Sequence, residues 1–245
     1  MSNPAKLNAL DDAVVDALLQ ACAEAAADTT LRFIVLTGEG RAFCAGGDLG
    51  SMASSIGKPL REDDADPLIA KNQRFGDLLH ALAALPQALI AAVDGPAFAG
   101  GLGLVCCADF VLATSGASFA APEVTLGIAP AQIAPFVWKR LGHRGARQVL
   151  LQARRFDALQ AEALGLVDEI ADDLPAATEL FIQSLSVCAP RAVASTKRVL
   201  HELESHAVRD LRTQAALAFA ASLRGTEAQE GIAAFAQKRL ASWAQ

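Results

Sequence analysis

Three short apolar runs, set between glycine-containing turns and helix-compatible segments, constrain most strongly what this chain can fold into. The runs are Phe33–Thr37, Ala88–Val93 and residues 109–113. Apolar runs of this length bounded by turn residues are typical of strands buried on both faces, as in parallel sheets. Strand, turn and helix then repeat as βαβ units with a right-handed crossover. The sequence therefore predicts an α/β protein.

Helical patterns fill the segments between and after these runs. Asn8 or Asp11 can cap a helix through Ala27, because Val14, Leu18 and Cys22 fall on one face. Residues 71–85 can form a second helix, which Pro86 ends.

Two further segments define the predicted organisation. Residues 50–68 mix Ser, Gly, Pro and acidic groups without periodicity, which predicts a mobile surface loop. Residues 190–245 contain only helix-compatible runs, so we divide the chain into a core over 1–188 and a C-terminal helical region over 189–245.

Composition excludes several function classes. The 245 residues are 53% hydrophobic and 20% charged with a net charge of −6, which indicates a packed globular protein and argues against a nucleic-acid surface. The five cysteines form an odd set without CxxC spacing, which favours reduced thiols over disulfides or a metal site. With no apolar N-terminal segment and no run of roughly 20 apolar residues, we expect a cytoplasmic protein with no membrane partner.

Two glycine turns can direct backbone N–H groups towards one point. The N–H of Gly100 is predicted to lie at a helix N-terminus, where orphan donors and the helix dipole favour negative charge, and the earlier turn offers the N–H of Gly47. Two such donors on a thioester carbonyl form an oxyanion hole that stabilises an enolate. The alternative is that these glycines serve only tight turns and close packing.

Glu123 stands between Pro122 and an apolar stretch, with no cationic residue near it in sequence. Burial would raise the pKa of its carboxyl towards the range useful for proton transfer near neutral pH. The alternative is an exposed loop glutamate. The four histidines have no metal-ligand spacing, and no metal site is predicted.

Four blocks, taken in order, resemble the crotonase, or enoyl-CoA hydratase/isomerase, superfamily. They are residues 3–10, 41–49, 92–101 and 119–127. The resemblance implies a spiral of ββα units followed by a C-terminal helical region that packs homotrimers, often paired into hexamers. It also implies an acyl-CoA substrate, with coenzyme A entering only as part of that substrate and no separate cofactor.

The same resemblance assigns roles to individual residues. It implies that Gly47 and Gly100 are the oxyanion donors and Glu123 the acid/base. We further expect Gln132 to orient water or a distal carboxylate of the substrate. The implied substrate-binding and coenzyme A-binding residues are Ala5, Lys6, Leu7, Ala45, Gly46, Asp48, Leu49, Gly101, Pro122, Gln132 and Lys238, the last in the final helix and directed at a neighbouring subunit's ligand.

One departure from the family pattern keeps two enzymatic activities open. The usual hydratase has two glutamates, and this chain has Gly103 at the first position and Glu123 at the second. A single base fits a Δ3-Δ2 enoyl-CoA isomerase. Residues 101–109 and 126–136 nevertheless resemble bacterial hydratases of branched glutaconyl-CoA esters from leucine or acyclic-terpene breakdown, which share this glycine. We therefore expect an enoyl-CoA hydratase of that type.

The start of the sequence leaves a third alternative. The family usually has a β-hairpin before the first block, and here Met1 stands two residues before Asn3. Loss of that hairpin would favour a catalytically degenerate acyl-CoA-binding subunit.

Overall fold

A computed structural model describes residues 1–59, 66–207 and 212–244, and within this part of the chain two sheets form the centre of the molecule. Their strands are β1 Phe33–Thr37, β2 Ala88–Val93, β3 Pro96–Phe98, β4 Phe110–Ala113, β5 Ser118–Ala120, β6 Phe156–Asp157 and β7 Glu169–Ile170. The first sheet has the order β1-β2-β4-β7 and is parallel throughout. The second has the order β3-β5-β6, with β3 and β5 parallel and β6 antiparallel to β5. The three predicted strands are confirmed.

Two pairs of consecutive strands are divided between the two sheets. The chain passes from β2 in the first sheet to β3 in the second, and from β4 to β5 in the same way. Each of these two turns of chain thus adds one strand to each sheet before a helix follows, which is the repeat of a ββα spiral. The end of β3 therefore lies beside the loop that contains Cys44 and Gly47, at one edge of the second sheet.

Helices cover both sheets and follow them in the chain. They are α1 Asp12–Ala27, α2 Leu49–Met52, α3 Pro67–Ala83, α4 Gly100–Cys106, α5 Ala134–Gln152, α6 Ala158–Ala163, α7 Leu174–Leu185, α8 Pro190–Ala207, α9 Arg212–Arg224 and α10 Thr226–Ala236. Short 3-10 turns lie at Pro4–Lys6, Ala53–Ser55, Glu123–Leu126 and Ser242–Ala244. No helix among the described residues is long and apolar enough to cross a membrane.

The apolar core lies between the sheets and the helices around them. All six residues of β2 are buried, as expected for a central parallel strand. In the second sheet, Phe119 of β5 stacks on Phe156 of β6 with ring centroids 5.7 Å apart. The buried apolar surface of this layer supports the short strands β5 and β6, which the sequence pattern did not predict.

Two helix starts show how capping decides where the elements begin. Asp11, one of the two predicted caps, accepts a hydrogen bond from the Val14 N–H at 3.0 Å and begins α1. Asp66 caps the Leu68 N–H at 3.0 Å, and Pro67 occupies the first helical position, so α3 begins four residues before the predicted start at residue 71.

The predicted loop over 50–68 is wrong in part. Its first residues extend α2 and form the 3-10 turn Ala53–Ser55, and its last residues begin α3. Residues 60–65 lie outside the described part of the chain. The side chain of Asp48 accepts a hydrogen bond from the Gly50 N–H at 3.0 Å, and this cap explains the unpredicted turn of helix.

The C-terminal helices pack on the elements that build the site. α9 lies against α3, and α10 lies against the turn Glu123–Leu126. A Cβ on Gly231 would come within 2.7 Å of the Leu126 carbonyl carbon, so only glycine permits this approach of α10. The division at residue 188, and a role of 189–245 in oligomerisation, stay predictions.

Candidate active site

The N-terminal segment fixes the position of Gly47. Leu10 N–H donates to the Gly46 carbonyl at 2.8 Å, and Asp48 N–H donates to the Leu10 carbonyl at 3.2 Å. Leu10 and Gly47 therefore pair as an isolated parallel bridge. Because both bonds come from the residues on either side of Gly47, its own N–H points away from Leu10.

A second pairing joins this loop to the turn before α4. Cys44 N–H donates to the Pro96 carbonyl at 3.1 Å, and Phe98 N–H donates to the Cys44 carbonyl at 2.9 Å. The two segments run parallel, so their following turns, at Gly46 and Ala99, meet at the same edge. An added Cβ on Gly46 would lie 2.7 Å from the Ala99 Cβ and 3.5 Å from the Gly100 nitrogen. The structure thus brings the two predicted donor turns together.

The turn before α4 has an unusual backbone. Ala99 has φ 50° and ψ −120°, a conformation that alanine rarely adopts, and such strain concentrates at functional sites. Gly100 begins α4, where a backbone N–H has no partner within the helix. A Cβ on Gly101 would lie 2.5 Å from the Cys44 carbonyl oxygen, so the helix start can touch the loop only through glycine. The local sequence therefore holds the Gly100 N–H at a fixed place.

Neither donor has a partner in the part of the chain that the structure describes. Within the described residues, no hydrogen bond outside regular helices and strands has the N–H of Gly47 or Gly100 as its donor. Gly100 is buried, whereas Gly47 is open to solvent, and both line one cavity. Two unpartnered N–H groups beside an open cavity can bind a carbonyl oxygen that becomes negatively charged.

Glu123 lies in the wall of the same cavity. It is the first residue of the 3-10 turn after Pro122, and its Oε2 is buried without a hydrogen-bond partner among the described residues. Burial raises the pKa of this carboxyl from its ordinary value of 4.5 to about 7. The structure favours the buried carboxyl over the exposed loop glutamate, and a group of this pKa can both take and return a proton near neutral pH.

The cavity that joins these groups has a volume of about 800 Å³. Its walls come from the N-terminal segment, α3, the turn at Ala99–Gly100, the turn at Glu123 and the C-terminal helices. Phe219 of α9 and Phe235 of α10 contribute apolar surface. A mostly apolar cavity with few polar groups is typical of a small-molecule site.

The position of the absent second glutamate is closed. Gly103 is buried in α4, and an added Cβ there would lie 2.4 Å from Cγ2 of Ile133 and 3.5 Å from Cδ2 of Leu79. Both neighbouring side chains are almost fully buried. The space that a carboxylate at residue 103 would need is therefore filled by hydrocarbon.

Gln132 is buried against α3 and lines the cavity. Its Nε2 donates to the carbonyl of Arg212 at 3.1 Å. Its Oε1 would lie 2.6 Å from a Cβ on Gly76, so Gly76 makes room for the amide. The structure therefore places Gln132 in the wall of the cavity, with one N–H of its side-chain amide donated to the protein.

Asn72 is a site residue that sequence reasoning missed. It lies on α3, is 8% exposed and lines the cavity. A weak signal existed, because Asn72 is a polar residue on the face of α3 that is otherwise apolar at Phe75 and Leu79. A helix start at residue 71 leaves too little of α3 before Asn72 for this pattern to show.

Two of the segments predicted to bind coenzyme A, residues 5–7 and 45–49, lie side by side. Ala45 N–H donates to the Leu7 carbonyl at 3.0 Å, which joins the segment 5–7 to the loop 45–49. Lys6 Nζ lies 3.3 Å from Asp48 Oδ2, and both are solvent-accessible. Ala45, Gly47 and Pro122 line the cavity, while Gly46 and Gly101 are buried behind it and Leu49 begins α2.

Lys238 does not lie in the last helix, and that prediction is wrong. α10 ends at Ala236, and Lys238 follows with φ 53°, while Arg239 N–H turns back to the Ala234 carbonyl at 3.0 Å. A left-handed residue here closes the helix as in a Schellman motif. Lys238 is exposed and does not line the cavity of its own chain.

Comparison with known proteins agrees with this geometry. The family model for enoyl-CoA hydratase/isomerase matches residues 1–245. The chain belongs to this family. The two-sheet spiral with its C-terminal helices is thus the crotonase fold, and the protein is an enzyme of the enoyl-CoA hydratase family that acts on acyl-CoA thioesters.

Individual members of the family are similar over nearly the whole chain. The chain is 32% identical to a 2,3-dehydroadipyl-CoA hydratase of Escherichia coli, over 98% of its own length and 91% of the relative's. It is 33% identical to an enoyl-CoA hydratase of Alternaria alternata, over 96% and 76% of the two lengths. The crystal structure of an enoyl-CoA hydratase from Mycobacterium avium superposes with a TM-score of 0.86 at 31% identity, covering 98% and 90% of the two chains.

Proposed function

We propose that the enzyme hydrates the α,β double bond of a branched glutaconyl-CoA ester, with Glu123 as the only acid/base. The observation that carries this proposal is the carboxyl of Glu123, which lies in the same cavity as the Gly47 and Gly100 N–H groups. Its Oε2 is buried without a hydrogen-bond partner among the described residues, and burial raises its pKa to about 7.

The reaction follows from the charges on these groups. Ionised Glu123 takes a proton from water while the water oxygen bonds to the β-carbon, and the π electrons move to the thioester oxygen. The enolate that forms accepts hydrogen bonds from the two backbone N–H groups, and each such donor is worth about 3 kcal/mol of barrier. Glu123 then returns the same proton to the α-carbon. One water molecule has been added, and the glutamate ends as it began.

The remaining predicted residues position the thioester. The surface segment formed by Lys6, Ala45 and Asp48 would bind coenzyme A beside the oxyanion donors, with the acyl chain directed along α3. The E. coli relative acts on 2,3-dehydroadipyl-CoA, whose acyl chain ends in a carboxylate, as a glutaconyl chain does. This shared feature supports an acyl group with a distal carboxylate.

A second candidate is favoured by the closed space at Gly103. A Δ3-Δ2 enoyl-CoA isomerase needs only one base, which removes a proton from the α-carbon and returns it to the γ-carbon. Ile133 excludes a carboxylate at residue 103 and leaves Glu123 as the base, and this reaction needs no other.

Absorbance of the conjugated enoyl thioester distinguishes these functions. We would assay crotonyl-, 3-methylglutaconyl-, isohexenylglutaconyl- and 3-enoyl-CoA with the wild type and Glu123→Gln. Loss of conjugation with the glutaconyl esters alone is expected. Gain of conjugation from the 3-enoyl ester would replace the hydratase by the isomerase, and silence with all four, with coenzyme A esters still bound, would indicate a degenerate binding subunit.

We also propose that the enzyme forms homotrimers, alone or paired into hexamers, through the C-terminal helices. Val199 and Leu200 of α8 are each more than half exposed in the single chain. Light scattering on the purified protein would test this, and a monomeric mass would overturn it.

A further inference from the structure

Two residues in the cavity wall carry a buried side-chain oxygen without a hydrogen-bond partner. They are Glu123, through Oε2, and Asn72, through Oδ1, and neither atom has a partner among the described residues. The other side chains with such an atom in this part of the chain do not line the cavity. Because buried polar atoms are hydrogen-bonded in nearly all proteins, two unpaired oxygens in one cavity indicate a ligand that supplies hydrogen-bond donors.

The chemistry of the two oxygens narrows the choice of ligand. An amide oxygen only accepts hydrogen bonds, and so does an ionised carboxylate, the form in which Glu123 acts as a base. An anionic group of the substrate cannot pair with either oxygen, because it brings acceptors alone. A water molecule has two O–H groups and can donate one to each, and buried waters bridge about two to four polar groups that the protein leaves unpaired. The cavity of about 800 Å³ has room for one.

The position of Asn72 on α3 brings it to the region of the oxyanion donors. Phe75, three residues later, has its ring 3.2 Å from where a Cβ on Gly100 would lie. Gly76, four residues later, lies against the Gln132 amide. Residues three and four apart share a helix face, so Asn72 lies on the face that makes these contacts. The residue is only 8% exposed, which holds its amide in the wall of the cavity.

Hydration treats the two hydrogens of the attacking water differently. Glu123 takes one of them as the water oxygen bonds to the β-carbon, and later returns it to the α-carbon. The second hydrogen stays on the oxygen and becomes the hydroxyl hydrogen of the product. An acceptor for this second hydrogen fixes the rotation of the water about its hydrogen bond to Glu123, and so directs an oxygen lone pair at the β-carbon.

We propose that Asn72 orients the attacking water by accepting a hydrogen bond from its second O–H on Oδ1. This inference rests on the proposed hydratase function and adds a residue to its mechanism. Asn72 takes up no proton, so the atoms balance as before: the water oxygen and one hydrogen end on the β-carbon, and the other hydrogen ends on the α-carbon. A misplaced nucleophile lowers turnover without a matching loss of substrate affinity, which separates this role from a structural one.

Asn72→Leu tests the orientation of the water, because leucine keeps the approximate volume of the side chain and removes the acceptor. With 3-methylglutaconyl- and isohexenylglutaconyl-CoA, kcat should fall on the order of 10- to 100-fold. The dissociation constant of the saturated ester 3-methylglutaryl-CoA, measured by calorimetry, should stay within about threefold. The melting temperature should not fall, because a buried amide oxygen without a protein partner is removed.

Two further variants serve as rescue and control. Asn72→Asp keeps an acceptor of the same shape, so it should recover part of the kcat lost in Asn72→Leu when each variant is assayed at its own pH optimum. Gln73→Leu changes the next residue of the same helix, which does not line the cavity, and should leave kcat unchanged.

Binding of the product tests the same hydrogen bond without turnover. 3-Hydroxy-3-methylglutaryl-CoA has the hydroxyl that the water leaves on the β-carbon, and 3-methylglutaryl-CoA lacks it. In Glu123→Gln, included to prevent dehydration during the measurement, calorimetry should show that one enantiomer of the hydroxy ester binds about 3- to 10-fold more tightly than the saturated ester. Adding Asn72→Leu should abolish this preference, because the hydroxyl then loses its acceptor.

Each result bears on a distinct conclusion. A wild type that hydrates the esters while Asn72→Leu keeps its kcat would overturn the role of Asn72 and leave the hydratase intact. A kcat in Asn72→Asp as low as in Asn72→Leu, with both proteins folded, would rule out the acceptor role. A lower melting temperature with weaker binding of 3-methylglutaryl-CoA in Asn72→Leu would make Asn72 structural and also overturn the proposal. A wild type that hydrates none of the esters would overturn the proposed function itself.

Discussion

Ile133 occupies the space above Gly103, with its Cγ2 only 2.4 Å from where a Cβ on that glycine would lie. The absence of a second glutamate is therefore built into the packing of α4 against the segment before α5. One substitution at residue 103 cannot restore the carboxylate, because the Ile133 side chain fills the space that it would need.

We expect Gly103→Glu to lower stability without improving hydration. Overpacking of a buried site costs about 1–3 kcal/mol, and burying an unpaired carboxylate adds to that cost. The double variant Gly103→Glu/Ile133→Ala should recover part of the loss, which urea denaturation would measure. Gly116→Glu, in an exposed turn, is the control and should change little. Equal stability of the single variant and the wild type would show that Ile133 moves aside freely.

Glu123→Gln tests the acid/base assignment. The amide keeps the shape of the side chain but cannot accept a proton, so kcat should fall by roughly 10²- to 10⁴-fold. Binding of a saturated acyl-CoA, measured by calorimetry, should stay within about threefold, because the oxyanion donors remain. Glu179→Gln, on the exposed surface of α7, serves as the control. Retained turnover in Glu123→Gln would remove Glu123 from the mechanism.

The raised pKa of Glu123 also predicts the pH dependence of activity. Because the base must be ionised, kcat/KM should rise with pH, about tenfold per unit below pH 7, and level off above it. Initial rates between pH 5 and pH 9, each divided by the fraction of enzyme that is folded at that pH, would show the inflection. An inflection near the ordinary carboxyl value of 4.5 would mean that Glu123 is solvated in the working enzyme.

The raised pKa of Glu123 also makes the stability of the protein depend on pH, in the opposite direction to its activity. Its folded-state value of about 7 lies above its unfolded value of 4.5, so between these pH values the folded state holds more protons than the unfolded one. Stability therefore falls as pH rises through this window, by up to about 3 kcal/mol and by less where cavity water solvates the carboxylate. Relative to the wild type, Glu123→Gln should gain in free energy of unfolding from pH 4.5 to pH 7. A difference independent of pH would contradict the burial of this carboxyl.

The sequence could predict those parts of the site that depend on local chemistry. Asp11 as a cap and Gly100 at a helix start follow from short-range rules, and both are found in the structure. Asn72 and Ile133 could not be predicted, because their importance depends on contacts between α3, α4 and the segment before α5. Lys238 was misplaced because a left-handed lysine closes α10, a position where glycine or asparagine is the usual signal.

The close contact between Gly101 and Cys44 keeps the two donors aligned. A methyl group on Gly101 would lie 2.5 Å from the Cys44 carbonyl oxygen, and backbone cannot yield as a flexible side chain can. Gly101→Ala should therefore push the start of α4 away from the loop that carries Gly47, so that one donor no longer reaches the oxyanion. Loss of one donor predicts a decrease in kcat of about 10²- to 10³-fold.

Gly100→Ala offers a comparison, because its methyl would meet mainly side-chain atoms, the Leu10 Cδ1 at 2.9 Å and the Phe75 ring at 3.2 Å, which can shift. If the convergence of the donors depends on the backbone contact, Gly101→Ala must be the more damaging of the two in kcat, measured with both proteins folded by circular dichroism. The reverse order would mean that the packing of Phe75 and Leu10, rather than the approach of α4 to Cys44, sets the oxyanion geometry.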